Sequence, residues 1–261
     1  MPNSQLLDSL PIVLVFVVFA LFTMLCYEAG FRLGRWWQER TPGEQEGPTG
    51  MLVGSILALL AFLLAVTMGM ASDRFDARRA LVLTEANDIG TTYLRAGYLP
   101  EPASSQVREL LRQYVPTRIT LTDSDDLAGD IARSTEIQNK IWAITEDVAR
   151  NNGSDVVALF VESVNDTIDD HESRVTARIY SRVPETVLLL LVGGAALSLG
   201  MVGYSAGLTR RRSLLSAVVL VLALGAVIMI VVDLDRPREG FIQVSQQPLI
   251  DLQQQIGPPA S

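Results

Sequence analysis

The chain has 261 residues, 49% of them hydrophobic, a mean hydropathy of +0.28 and a net charge of −8. An acidic chain without a basic stripe argues against a nucleic-acid partner. Cys26, the single cysteine, excludes a disulfide framework and a cysteine zinc site.

The positive hydropathy is concentrated in four apolar runs, Leu10 to Ala29, Met51 to Ser72, Thr186 to Gly207 and Ser213 to Val232. At 1.5 Å rise per residue, each is long enough to cross a hydrocarbon core of roughly 30 Å. The start, MPNSQLLDSL, lacks a basic residue and carries Asp8. That is unlike a cleavable signal peptide, so the first run is expected to remain a span. The run is bulky and β-branched and offers no tight packing face, which suits contact with lipid. Glu28 stands four residues before Arg32, the spacing of an interfacial ion pair. A carboxylate at a pore mouth is the alternative. Trp36 and Trp37 read as an interfacial anchor, and TPGEQEGPTG as a loop.

The second run, 22 residues without a charge, continues into DRFDARRALVLTEANDIGTTYLRAG without a proline. This predicts one long helix, half in the membrane and half in water, whose water-borne stripe needs partners. Small residues at Gly50, Gly54 and Ala58, then Ala61, Ala65 and Gly69, make a narrow face. The third run matches it with Gly194, Ser198, Ala196, Gly200, Gly203 and Gly207. Spans two and three are therefore expected to pack on each other, with a neighbouring subunit as the other partner for these faces.

Residues 73–184 carry 19 acidic and 13 basic side chains and read as helical throughout. A stalk over Asp73 to Leu94 is followed by a break at LPEPASS. A short helix from Gln106 to Thr117 places Val107, Leu110, Leu111 and Tyr114 on one face. TLTDSDD is an acidic turn with capping residues. A helix from Asp126 to Asn151 ends at Asn152 and Gly153, and Ser154 is placed to cap the next. That next helix is expected to run from Asp155 straight down into the third span. Val157, Val161, Val164, Ile168, His171, Val175 and Arg178 make its coiled-coil-like seam. The fourth span ends in DLDRPREG, where Pro237 stops the helix. PLIDLQQQI then forms a short amphipathic piece, docked on the bundle or at the membrane surface.

These elements predict an all-α fold. Four transmembrane helices carry an extramembrane antiparallel helical bundle formed by extensions of helices two and three. The divisions are 10–72 and 185–233 for the spans, 73–184 for the bundle and 234–261 for the tail. Arg32, Arg35 and Arg40 in the first loop and Arg210, Arg211 and Arg212 in the last share one side, which the positive-inside rule makes cytoplasmic. The bundle is then periplasmic, although Arg74, Arg78 and Arg79 flank the opposite side.

Two constellations are candidate functional sites. Glu85 lies about 13 residues past Ser72, and His171 about 13 before Pro184. Each is roughly 20 Å along its helix. His171 is thus expected to face Glu85 or Asp88, as a register-fixing buried contact or as a pH-sensitive switch. With Asp169, Asp170 and Glu172, one histidine falls short of a metal site. The second constellation is a charged belt at the span ends. It comprises Asp73, Arg74, Asp76, Arg78, Arg79, Arg178, Arg182, Glu185, Asp233, Asp235, Arg236, Arg238 and Glu239. It reads as a salt-bridge network or as a vestibule gathering anions. No phosphate-binding glycine loop, nucleophile elbow or HExxH occurs, so neither an enzyme nor a cofactor is expected.

TEANDIGTTYLRAG, LRQYVPTRI, VNDTIDDHESRV, RVPETVLLLL, MVGYSAG and DLDRPREG occur in this order between Gly50 and Leu252. Together they resemble a bacterial membrane family labelled "bestrophin-like domain", which has no established function. The resemblance implies a channel, since bestrophins are pentameric anion channels with an aromatic neck, gated by calcium in the animal members. This sequence departs from that neck, with Phe62 alone as an aromatic in the central turns of spans two and three. The leading expectation is a homo-oligomeric pore for anions in the bacterial inner membrane. The other is a non-transporting sensor or scaffold whose bundle binds a protein or ligand.

Overall fold

The computed structural model describes residues 11–41, 47–120, 126–236 and 240–259. Eight α-helices run in order: α1 (Ile12–Arg40), α2 (Gly47–Arg95), α3 (Ala103–Thr120), α4 (Leu127–Asn151), α5 (Asp155–Tyr180), α6 (Glu185–Leu208), α7 (Leu214–Asp235) and α8 (Gln247–Ile256). A 3₁₀ turn over Ala96–Tyr98 follows α2. Among the described residues, four helices are long and apolar enough to cross a membrane, carried by α1, α2, α6 and α7. The expectations for Asp8, for the loop at 42–46, for the acidic turn at 121–125 and for Pro237, Arg238 and Glu239 lie outside the described residues.

The chain divides into two compact units. One comprises Met1–Arg74 and Arg182–Ile242, the other Phe75–Ser181 and Gln243–Ser261. The division falls inside α2, which stays unbroken, and between α5 and α6, which are separate helices. A single rod from Asp155 into the third span is therefore not what forms. Proline at 184 has no N–H to donate, and it biases Val183 toward extended backbone. Pro184 itself, at φ −56° and ψ 134°, sits just outside the first turn of α6. The freed N–H of Val183 donates to the Asp235 carboxylate at 2.6 Å.

In the first unit α1 packs on α6 and α7. The pairs Tyr27 with Gly203, Phe31 with Gly207 and Gly34 with Tyr204 advance together along both helices, so α1 and α6 run parallel. A Cβ on Gly30 would overlap the Gly200 carbonyl, and one on Gly203 the Tyr27 carbonyl. Only glycine admits backbones this close. The small-residue face of the third span therefore meets the first span, contrary to the expected partnership with the second. Gly30 and Gly34 lie just beyond the first apolar run, which is why that run looked featureless. Between α2 and α6, Gly194 meets Leu60, yet Gly50, Gly54 and Gly69 face open space. Tyr27, Leu199, Ala217 and Val221 form a small buried cluster among α1, α6 and α7.

The second unit has an ordinary hydrophobic core, with Val82 and Ile89 of α2, Leu111 and Tyr114 of α3, Ile141 of α4, Phe160 and Val164 of α5 and Leu249 of α8 all buried. The tail helix α8 belongs to this core. Its Leu249, Leu252 and Ile256 are buried, and the Ile256 carbonyl accepts from Arg112 Nε at 2.9 Å. Asp126 caps α4 by accepting from the Gly129 N–H. Ser154 stands at the α5 N-cap without a side-chain cap bond, its own N–H donating to Asn152 Oδ1 instead. The buried face of α5 is Val157, Phe160, Ser163, Val164, Thr167, His171 and Arg174. Val161, Ile168, Val175 and Arg178 of the expected seam are only half-buried. Half of the true face is polar, so apolar periodicity alone misplaces it.

Candidate functional site: a charged core in the helical unit

Apolar stripes on three helices lead to the same place. On α3, Val107, Leu111 and Tyr114 are followed by Arg118, one more step along the stripe. On α5, Val164 and Thr167 are followed by His171 and Arg174. On α2, Val82 is followed by Glu85. Glu85 and Arg118 have fully buried side chains, and Arg174 is 7% exposed. The Glu85 carboxylate bridges both guanidiniums. Oε1 accepts from Arg118 Nε at 2.6 Å, and Oε2 accepts from Arg174 Nη1. Arg174 Nη2 also donates to Gln246 Oε1 at 3.0 Å, tying the start of α8 to the cluster. Tyr114 presents its ring to Arg118, 5.7 Å from guanidinium carbon to ring centre. Its hydroxyl accepts from Gln138 Nε2 of α4 at 3.0 Å.

His171 is fully buried in this neighbourhood. Neither ring nitrogen has a hydrogen-bond partner. Burial and the charge of Arg118, with a smaller contribution from Arg174, push its pKa down to about 4 despite the opposing pull of Glu85. The imidazole is therefore neutral across the physiological range, and a charge switch at neutral pH does not reside on His171. Burial likewise raises the Tyr114 pKa well above its usual value, so the phenol keeps its proton.

Asp88 of α2 acts instead on the carboxyl group of Asp170 on α5. Partial burial first, then Asp88, Glu85 and Asp166, push the Asp170 pKa up to about 7. Raised this far, the Asp170 carboxyl group holds its proton below neutrality. Alongside it, Thr92 of α2 donates or accepts across to Thr167 at 3.0 Å and meets the Ser163 carbonyl at 2.8 Å.

The residues of the expected belt divide between the units. In the helical unit, Arg78 Nη1 reaches the Ser181 carbonyl at 3.4 Å, and Arg178 is half-buried. In the other unit Arg182 lies beside the α5–α6 break, and Asp233, Asp235 and Arg236 are buried at the end of α7. Carboxylates at a helix C-terminus oppose its dipole. Here they accept hydrogen bonds from backbone outside the helix. Asp233 takes the N–H groups of Phe241 and Ile242 at 2.9 and 3.0 Å, and Asp235 takes that of Val183. A Cβ on Gly240 would overlap Asp233 Oδ1, so this tight return requires glycine. At the other end of the unit Glu28 pairs with Arg32 at 3.0 Å and with Arg212 at 2.6 Å. That contact joins the C-terminal part of α1, where Arg32, Arg35 and Arg40 lie in the helix rather than in a loop, to the α6–α7 loop.

Sequence reasoning placed Tyr114 on the apolar face of α3 but missed Arg118, Arg174 and Gln138 as members of the core. Their signal was present, since both arginines continue an apolar stripe at helical spacing. A charge at a stripe position reads more simply as the end of the stripe.

The four apolar helices, with parallel α1 and α6 locked by glycines, define a multi-pass membrane protein of the all-α class. Residues 13–249 match the family model of the bestrophin-like domain, and the chain belongs to that family. Its fold is similar to that of a bacterial bestrophin homologue from Klebsiella pneumoniae. The TM-score is 0.64 at 12% identity, over 94% of this chain and 97% of that one. A point mutant of that homologue gives 0.68 at 12% identity with the same coverage. The crystal structure of a mutant membrane protein gives 0.69 at 10% identity, covering 92% of this chain and 97% of that one. At these identities the likeness is one of fold. No curated protein matches the sequence.

Proposed function

We propose that the chain assembles into a homo-oligomeric channel for small ions, anions first, in a bacterial inner membrane. The observation that carries this reading is the state of α2. Met51, Leu52, Leu59, Phe62 and Val66 are all exposed in the single chain, from 47% to 73%. Gly50, Gly54 and Gly69 beside them meet nothing. The other spans expose apolar side chains too, Leu25, Leu189 and Leu215 among them, as contact with lipid requires, but backbone contact between α1 and α6 leaves no room for a conduit there. A pore then lies between copies, walled by the face of α2 whose glycines meet no neighbour within the chain. Membership of the bestrophin-like family and the fold of the Klebsiella homologue support the same reading.

The helical unit, residues 75–181 with the tail, then stands outside the membrane as an antiparallel bundle. Its polar, salt-bridged surface suits water rather than lipid. The arginines at the end of α1 and in the α6–α7 loop, with Glu28 contacting both Arg32 and Arg212, support a periplasmic bundle by the positive-inside rule. Ion flux from liposomes containing the purified protein tests the channel. Halide or cation release that depends on the protein is expected. An intact oligomer with no flux at any pH or calcium level leaves the sensor or scaffold reading in its place.

A further inference from the structure

The charged core of the helical unit is not balanced. The charges acting on His171 are Arg118, Glu85 and Arg174, two positive and one negative. Arg118 uses only Nε to hold Glu85. Its Nη1 and Nη2 are buried without a partner, as are both nitrogens of His171. A guanidinium has five N–H donors, so four of them point into a region closed to solvent. Buried donors are almost always satisfied, and an uncompensated buried charge is costly. A neutral imidazole supplies one further N–H. The Tyr114 hydroxyl, which accepts from Gln138, retains its hydrogen for donation.

We propose that Arg118 Nη1 and Nη2, with the His171 ring and the Tyr114 hydroxyl beside them, form a buried binding site for a small inorganic anion the size of chloride. The anion balances the second guanidinium and accepts the stranded N–H groups. Water would satisfy the hydrogen bonds but leave the charge. The site lies wholly within the helical unit and is separate from the pore proposed above. It binds whether or not the protein conducts. It also gives His171 a role as a neutral donor. Carboxylates near the cluster are Glu85, already committed to both arginines, and Asp170, on which Glu85, Asp88 and Asp166 all act. Ionisation of Asp170 opposes anion binding, so a pH of about 6, below its raised pKa, favours occupancy.

The test uses the full-length protein in detergent at pH 6 and constant ionic strength, in sodium chloride, bromide or gluconate. A saturable rise in Tm of at least about 2 °C is expected in either halide over gluconate. Crystals grown in bromide should give an anomalous peak beside the Arg118 Nη atoms. Arg118→Met leaves one arginine to one glutamate and should lose both effects. Equal melting in all three salts with water alone at the site overturns the proposal. So does a bromide peak without any thermal effect, which marks an adventitious ion only. An Arg118→Met protein as halide-dependent as the parent also overturns it. If that variant does not fold, the salt series and the bromide peak on the parent decide.

Discussion

In the first unit Gly30, Gly34, Gly203 and Gly207 bring α1 and α6 into backbone contact. In the second, Phe160, Leu111, Tyr114 and Leu249 belong to a buried core, and the same unit buries a carboxylate shared by two arginines. The difference follows from the solvent each unit is built for. Lipid is as apolar as leucine, so burying leucine between spans gains little, and close van der Waals approach decides which helices meet. In water the burial of apolar surface drives association, and enough of it supports a desolvated ion cluster. The same chain therefore uses small residues to pack one half and large residues to pack the other.

The contrast is most exposed to Glu85→Gln. The change leaves two buried guanidiniums without their carboxylate, and breaking a buried pair costs roughly 3–5 kcal/mol. We expect loss of the cooperative unfolding transition of the helical unit, read by circular dichroism of the 222 nm band. A Glu85→Gln protein that melts like the parent would falsify the view that this cluster is a tightly coupled part of the core.

A smaller and more selective effect is expected from alanine at the glycines. Gly203→Ala places a methyl group on the Tyr27 carbonyl and should cost a few kcal/mol, of the order of an overpacked core. Gly54→Ala meets nothing within the chain and should gain about 1 kcal/mol of helix propensity. If α2 faces another copy, Gly54→Leu should dissociate the oligomer while the single chain keeps its fold. Size-exclusion chromatography with light scattering distinguishes these results. An unaltered oligomer would move the pore wall away from this part of α2.

The smallest effect concerns pH. Asp170 is raised to about 7 in the fold. Its contribution to stability is thus full below its unfolded pKa near 4 and is lost as pH rises toward 7. His171 is lowered to about 4. Its contribution is full above about 6.5 and is lost as pH falls toward 4. The two slopes oppose each other, so the parent should show a shallow profile between pH 4 and 7. Asp170→Asn should raise Tm at pH 8 and leave it nearly unchanged at pH 4. An equal shift at both pH values would show that ionisation of Asp170 is not what the variant relieves.

Hydropathy and helix periodicity alone determined the four spans, the helical character of the described residues between 73 and 184 and the neighbourhood of Glu85 and His171. These properties are local, set by runs of residue types along one helix at a time. Tertiary structure alone decided the rest. Parallel α1 and α6 pair because Gly30 and Gly34 happen to meet Gly200, Gly203 and Gly207, a complementarity no single segment displays. Arg118 and Arg174 look like stripe ends until α3 and α5 close on Glu85. The rod expected through Pro184 breaks because Asp235, more than fifty residues later in the chain, is in place to take the N–H of Val183. Each of these outcomes depends on two distant segments satisfying one another, and a reading along the chain sees only one partner at a time.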